Sequence, residues 1–333
     1  MSSLFDKPLI ELGVEADALR RKLWGRDTFY IKNVHINFTN ICSNRCNFCA
    51  FRRDAGSPDA YFHSVEDIMS QVKAAGDVRE LHIVGGLHPE ADLSYYIDII
   101  SALRASFPHV GIKAFGAVEM DYIARRAGLA VEKVLRRLKD AGLDIMPGGG
   151  AEIFDETVRS RLCPEKITGE EWLDIMRRAH GAGIKTNATM LYGQLETNEQ
   201  RQAHLLKIRA LQEETGGFNA FIPLAFHPTG TKFSDIRPAT CVDDLKVTAC
   251  SRIILDNVPH IKAYWVMLGE KAAQMALHFG ADDMDGTIVK ENITYAAGGK
   301  SGRAMTEAAL RELISAAELF PCERDSFYNK VDK

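Results

Sequence analysis

Three cysteines, Cys42, Cys46 and Cys49, fall within eight residues of the stretch NFTNICSNRCNFCAFRR, while the other four in the chain are scattered. Thiolates are soft metal ligands, and spacings of three and then two residues let one loop wrap all three round a single centre. Iron–sulfur clusters usually take four cysteine ligands, so three leave one iron open to an exogenous ligand. Structural zinc is the competing use. Zinc patterns pair two ligands with two more further along, however, and no CxxC or HxxxH partner follows downstream. Cys163, Cys241, Cys250 and Cys322 stand alone, as buried inert thiols do. Seven cysteines without a secretion signal argue against a disulfide framework.

The elements that must position this loop follow a repeated pattern. An amphipathic helix ends on glycine and an apolar, β-branched run follows, as in AAGDVRELHIVGG, DAGLDIMPGGG, GAGIKTNATMLYG and TGGFNAFIPLAF. The runs LHIV, VGIKAF, FNAFIPLAF and IKAYWV are nearly continuously apolar, as strands are when helices cover a parallel sheet. Strands are expected near 34–39, 80–85, 110–117, 144–147, 185–191, 218–225, 261–266 and 283–288, each followed by helical sequence. Thr168 with Glu171 and Thr197 with Gln200 fit capping boxes. Trp172, Ile175, Met176 and Ala179 form one apolar stripe, and Gly183 supplies a left-handed stop.

Eight strand–helix units point to the α/β class and a (β/α)8 TIM-type barrel. The chain reads as a single domain, 1–333, with an N-terminal extension over about 1–33 and the barrel over about 34–320. A doubly wound open sheet is the alternative. Against it, the first turn lacks GxGxxG and no break in composition marks a second domain.

In such a barrel chemistry gathers at the C-terminal ends of the strands, which places the cysteine loop after strand one on the catalytic face. Gly85 and Gly86 follow strand two, where the lack of a Cβ lets backbone approach a ligand. Glu119 and Glu152 lie just beyond strands three and four, positioned to accept hydrogen bonds from a ribose or an ammonium. Asn187 and Thr189 alternate with apolar neighbours on strand five and can face the barrel mouth, with a hydrogen-bonded core role as the alternative. His88 and His227 follow strands two and six; two histidines at one mouth suggest anion binding or proton transfer.

The run CSNRCNFC, with aromatic Phe48 before the last cysteine, resembles the CxxxCxΦC signature of the radical S-adenosylmethionine (SAM) enzymes. The resemblance implies a 4Fe-4S cluster held by Cys42, Cys46 and Cys49, its open iron chelated by SAM as cosubstrate. Reductive cleavage of SAM then releases a 5′-deoxyadenosyl radical. HIVGGLHPE looks like the family's glycine motif, and the GGGAEI around Glu152 recurs in SAM-binding relatives. An electron donor such as flavodoxin or ferredoxin is implied as a partner.

Closer similarity runs over nearly the whole chain. PGGGAEIF, TNATMLYGQLET, HLLKIRALQEETGGFNAFIPLAFHP, ADDMDGTIV and ERDSFYN are similar to the aminodeoxyfutalosine synthases of the futalosine route to menaquinone. The resemblance implies that the adenosyl radical adds to 3-(1-carboxyvinyloxy)benzoate. Aryl migration and loss of the carboxylate then give 6-amino-6-deoxyfutalosine. Cyclic dehypoxanthinyl futalosine synthase and the deazaflavin-forming enzyme of coenzyme F420 synthesis share much of this pattern. Phe154 and the LAFHP segment favour the first family. Gln194 stands where these relatives commonly carry histidine, so no role is carried over to it. A non-catalytic metal-binding scaffold is the alternative from another class.

Composition narrows the partners. A net charge of −4 and a pI near 6.2 give no broad basic surface for nucleic acid. The basic run KVLRRLKD at 133–140 has the spacing of an exposed helix face. No segment has the length and hydropathy of a membrane span and no signal peptide is visible, so the expected location is cytoplasmic.

Overall fold

A computed structural model of the chain describes residues 3–289, 291–299, 301–302 and 304–331. Ten strands form in chain order: β1 (Asp27–Ile31), β2 (Asn33–Asn37), β3 (Glu80–Val84), β4 (Gly111–Ala114), β5 (Ile145–Met146), β6 (Lys185–Tyr192), β7 (Phe218–Ala225), β8 (His260–Ile261), β9 (Asp283–Gly286) and β10 (Phe320–Glu323). β2 to β8 make one curled parallel sheet in sequential order. This is the α/β arrangement expected from strands buried on both faces.

All eight strand positions expected for the barrel are occupied by strands, β2 to β9. Closure differs from a full ladder. β9 pairs with β1, and β1 with β10, in a separate parallel sheet of three. Single bridges, Lys262 to Asp283 and Val34 to Val289, join it to the two edges of the larger sheet. The expected extension therefore contains a strand of its own. Asp27–Ile31 braces the eighth barrel strand, while the helix Leu9–Trp24 packs on the helix Cys241–Ile254. The expected strands 110–117 and 261–266 are shorter than predicted, because helices begin at Ala117 and Trp265.

Local signals set the helices of the outer layer. Ser64, Thr168, Thr197 and Thr240 each accept a hydrogen bond from the backbone of the third helical residue, whose side chain caps in return. The stripe Trp172, Ile175, Met176 and Ala179 is buried, and Gly183 has φ +73°, as the sequence predicts. In the basic run, Val134, Leu135 and Leu138 face the core and Arg136 and Arg137 face solvent. Among the described residues no helix is long and apolar enough to cross a membrane.

Candidate active site in the barrel mouth

A cavity of about 360 Å³ opens at the C-terminal ends of the strands. Cys42, Cys46, Phe48, Cys49, Gly85, Gly86, Glu119, Glu152, Asn187, Thr189 and His227 all line it. These residues come from six strand ends or the loops after them, so only the barrel brings them together.

Backbone hydrogen bonds fix the cysteine loop. Cys42 N–H donates to the Arg53 carbonyl at 3.3 Å, Ser43 N–H to Leu87 at 3.0 Å and Asn47 N–H to Leu162 at 2.8 Å. Arg52 Nε donates to the carbonyls of Cys42 and Asn44 at 3.2 and 3.1 Å. All three thiols are free and half-buried. Burial pushes the Cys46 thiol up to about 12 and raises Cys42 as well, with the Lys166 ammonium pulling both the other way. A metal must therefore displace the protons to bind.

Among the described residues no three His, Cys, Asp or Glu side chains converge as ligands of a single metal ion. In a four-iron cluster each thiolate binds its own iron, and Cys42, Cys46 and Cys49 all line this one cavity.

The two glycines after β3 line the cavity and also permit close packing. A Cβ on Gly86 would lie 2.1 Å from the Ile41 carbonyl oxygen, and one on Gly85 would lie 2.8 Å from the Phe38 ring. The cysteine loop and the strand-end turn can touch only because both positions lack a side chain. Gly86 N–H donates to the Thr39 carbonyl at 2.9 Å, fastening the two segments together.

Glu119 is also turned inward on the backbone. One carboxylate oxygen accepts the Gly116 N–H at 2.6 Å and the other the Gly85 N–H at 3.3 Å, joining the turns after β3 and β4. Burial outweighs those bonds and raises its proton affinity to about 7. Thr189 donates its hydroxyl to the Gly148 carbonyl at 2.7 Å. Asn187 faces the cavity with no hydrogen bond to its side-chain amide among the described residues.

Glu152 sits at φ +47°, in the left-handed region that is strained for a residue with a Cβ. Its carboxylate accepts from Lys166 Nζ at 2.5 Å, and the same ammonium lies 5.0 Å from the centre of the Phe48 ring. Lys166 thus ties the glycine-rich turn after β5 to the cysteine loop. Sequence reading missed it, since it lies in a loop between two helices and has no motif around it.

The two histidines part company. His227 lines the cavity, and its Nε2 hydrogen bonds the Met267 carbonyl at 3.1 Å. Burial lowers its proton affinity, so the ring is neutral with Nε2 protonated and Nδ1 the basic nitrogen. His88 does not line the cavity. Its ring stacks on Phe62 at 3.9 Å between centroids, and Nδ1 accepts the Glu90 N–H at 3.1 Å. His88 was expected at the same mouth as His227, but the loop turns its imidazole against Phe62 and engages Nδ1 locally.

Below the strand ends the cavity wall carries charged and polar residues that sequence reading also passed over. His35, His82 and Lys113 are register neighbours across β2, β3 and β4, and Lys262, just after β8, and Asp285, in β9, line the same cavity. The signal was present, because a lysine or histidine inside LHIV, VGIKAF or IKAYWV interrupts an otherwise apolar run.

A parallel α/β barrel with three free cysteines in the loop after its first strand defines a class, and comparison with known proteins agrees. The family model of the radical SAM superfamily matches residues 36–208. A second, described as the CofH/MqnC C-terminal region, matches residues 215–333. Aminodeoxyfutalosine synthase of Thermus thermophilus is 42% identical over 95% of this chain and 87% of its own length. The 5-amino-6-(D-ribitylamino)uracil–L-tyrosine 4-hydroxyphenyl transferase of Archaeoglobus fulgidus is also 42% identical, over 95% of this chain and 92% of its own. Among solved structures, methylornithine synthase superposes with a TM-score of 0.76 at 16% identity, covering 94% of this chain and 89% of that one, a likeness of fold.

The chain belongs to the radical SAM superfamily. Within it, this is a radical SAM enzyme of the CofH/MqnC family, and the superfamily implies a 4Fe-4S cluster and SAM.

Proposed function

We propose that the chain is an aminodeoxyfutalosine synthase that joins the adenosyl unit of SAM to 3-(1-carboxyvinyloxy)benzoate. The observation that carries this reading is the 42% identity to the Thermus thermophilus synthase over 95% of the chain. It is supported by Phe154 beside the GGGAEI turn, buried and stacked on His204 at 3.9 Å between centroids.

In this reading Cys42, Cys46 and Cys49 hold the cluster, and cluster and SAM together supply a 5′-deoxyadenosyl radical. The protein's part is positional. Phe48 and Lys166 wall the cysteine side of the cavity, and Glu119 holds the turns after β3 and β4 at a fixed spacing. Asn187 presents its amide to bound SAM or substrate, and His227 offers Nδ1 as the basic group nearest the β7 end. The whole chain acts as one barrel domain, its electron coming from a flavodoxin- or ferredoxin-type donor.

The second reading is the 4-hydroxyphenyl transferase, favoured by relatives of equal identity such as the Archaeoglobus fulgidus enzyme. One experiment separates them. The reconstituted, reduced protein is incubated anaerobically with SAM and either 3-(1-carboxyvinyloxy)benzoate or L-tyrosine with 5-amino-6-(D-ribitylamino)uracil, and products are identified by mass spectrometry. An adenosyl–aryl adduct from the first mixture is the expected result. A 4-hydroxyphenyl adduct of the uracil from the second, with no adduct from the first, overturns it.

A further inference from the structure

The inner layer of a parallel barrel is normally packed with Val, Ile and Leu. Here the wall below the cysteine loop holds two lysines whose side chains are only 3% and 2% exposed, Lys113 and Lys262. Lys113 Nζ donates to Glu80 at 2.5 Å and Lys262 Nζ to Asp285 at 2.9 Å. An ammonium has three donors, and each lysine has one side-chain partner among the described residues. Both lysines line the cavity, so the remaining donors have the cavity as their outlet. His35 and His82 lie beside Lys113, with Nε2 and Nδ1 3.3 Å apart. From β6 and β7 the same cavity is lined by Leu191, Ile222 and Leu224.

Buried ion pairs of this kind return little stability compared with well-packed apolar residues, so the fold by itself gives no reason for them. A cavity lined by both cationic donors and aliphatic side chains fits a flat apolar ligand that ends in an anion. We propose that Lys113 and Lys262 form a carboxylate anchor, which holds the ring carboxylate of the acceptor substrate while its reacting end points toward the cysteine loop. The assignment rests on the aminodeoxyfutalosine reading for the identity of the ligand. The chemistry, a carboxylate on an aromatic molecule, is shared with L-tyrosine, so the test must tell the two sources apart.

The test is equilibrium binding by calorimetry to the reconstituted, oxidised protein loaded with SAM. The probes are 3-(1-carboxyvinyloxy)benzoate against its methyl ester at the ring carboxylate, and L-tyrosine against L-tyrosine methyl ester. The variants remove whole ion pairs, Lys113→Gln with Glu80→Gln and Lys262→Gln with Asp285→Asn, so that no buried carboxylate is orphaned. Wild type is expected to prefer the benzoate over its ester by about 10- to 100-fold. Each paired variant should reduce that preference to about twofold or less while still binding SAM, a result that a purely structural role does not produce.

If the acid-over-ester preference appears and is lost for L-tyrosine only, the anchor stands and the aminodeoxyfutalosine reading falls. A preference that survives in both variants, or that wild type shows for neither acid, overturns the anchor. Lys113→Arg and Lys262→Arg keep the charge and serve if the paired variants do not fold. They should retain the preference for acid over ester and shift the affinity for the acid alone, and unchanged affinities for both forms would count against the proposal.

Discussion

At the N-terminal end of the barrel, Asp282 accepts from Arg252 at 2.6 Å, from His260 at 2.5 Å and from the Ile261 N–H at 2.9 Å. Arg252 also donates to the carbonyls of Gly280, Val258 and Pro259. Within the cavity, Lys113 and Lys262 each meet a single carboxylate and border open space. Both regions bury charge almost completely, yet of the two only the lysines border the cavity, where an uncommitted donor can meet a ligand. Burial of charge therefore does not mark a site by itself; the mark is donor capacity that the protein leaves uncommitted next to a cavity.

The contrast is sharpest if substitutions divide cleanly between chemistry and stability. Cys46→Ser should give the largest effect. Iron and sulfide analysis should show no redox-competent cluster and SAM cleavage should fall to background, with the barrel still folded by circular dichroism. Normal SAM cleavage in this variant would break the assignment of the loop as the cluster site.

Asp282→Asn tests the other end. Unpairing Arg252 and His260 should cost about 3–5 kcal/mol of stability, read as a lowered unfolding midpoint, with product formation per folded molecule unchanged. A loss of turnover at intact stability would mean that the two ends are coupled, and the comparison would fail.

Glu119 gives a pH signature confined to the cavity. Its proton affinity rises from 4.5 to about 7 on folding because burial disfavours the carboxylate. Between those values the native chain binds the extra proton. Stability should therefore be greatest below the lower value, fall as pH rises through about 7 and level off above it, by about 3 kcal/mol in all. Urea unfolding of the reconstituted protein from pH 5 to 8 should show this slope in the wild type and its loss in Glu119→Gln.

The smallest effect belongs to His88→Gln. Losing the stack on Phe62 should cost about 1 kcal/mol or less in thermal unfolding. Turnover and substrate KM should stay as in the wild type. A fall in turnover of about tenfold or more would return His88 to the site.

The cysteine loop was legible because its three thiols lie in one short segment, and Cys42, Cys46 and Cys49 need no tertiary information to be noticed. His227, Asn187 and Thr189 were reachable by one further step, since strand ends in a parallel barrel face a common mouth. His88 satisfied the same rule and still turned away. A position after a strand fixes where the backbone emerges, but not which way a loop side chain points.

Sequence determined what depends on short-range physics. The period of apolar residues set eight barrel strands, capping residues set helix starts at Thr168 and Thr197, and the spacing of Cys42, Cys46 and Cys49 put three thiols in one loop. Tertiary structure decided what depends on approach between distant segments. The Ile41 carbonyl against Gly86, the Lys166 bridge from Glu152 to Phe48, the His35–His82–Lys113 belt and the pairing of β1 with both β9 and β10 all join residues far apart in the chain. Their pairing follows from strand register and barrel closure, which arise only when the sheet curls and its edges meet.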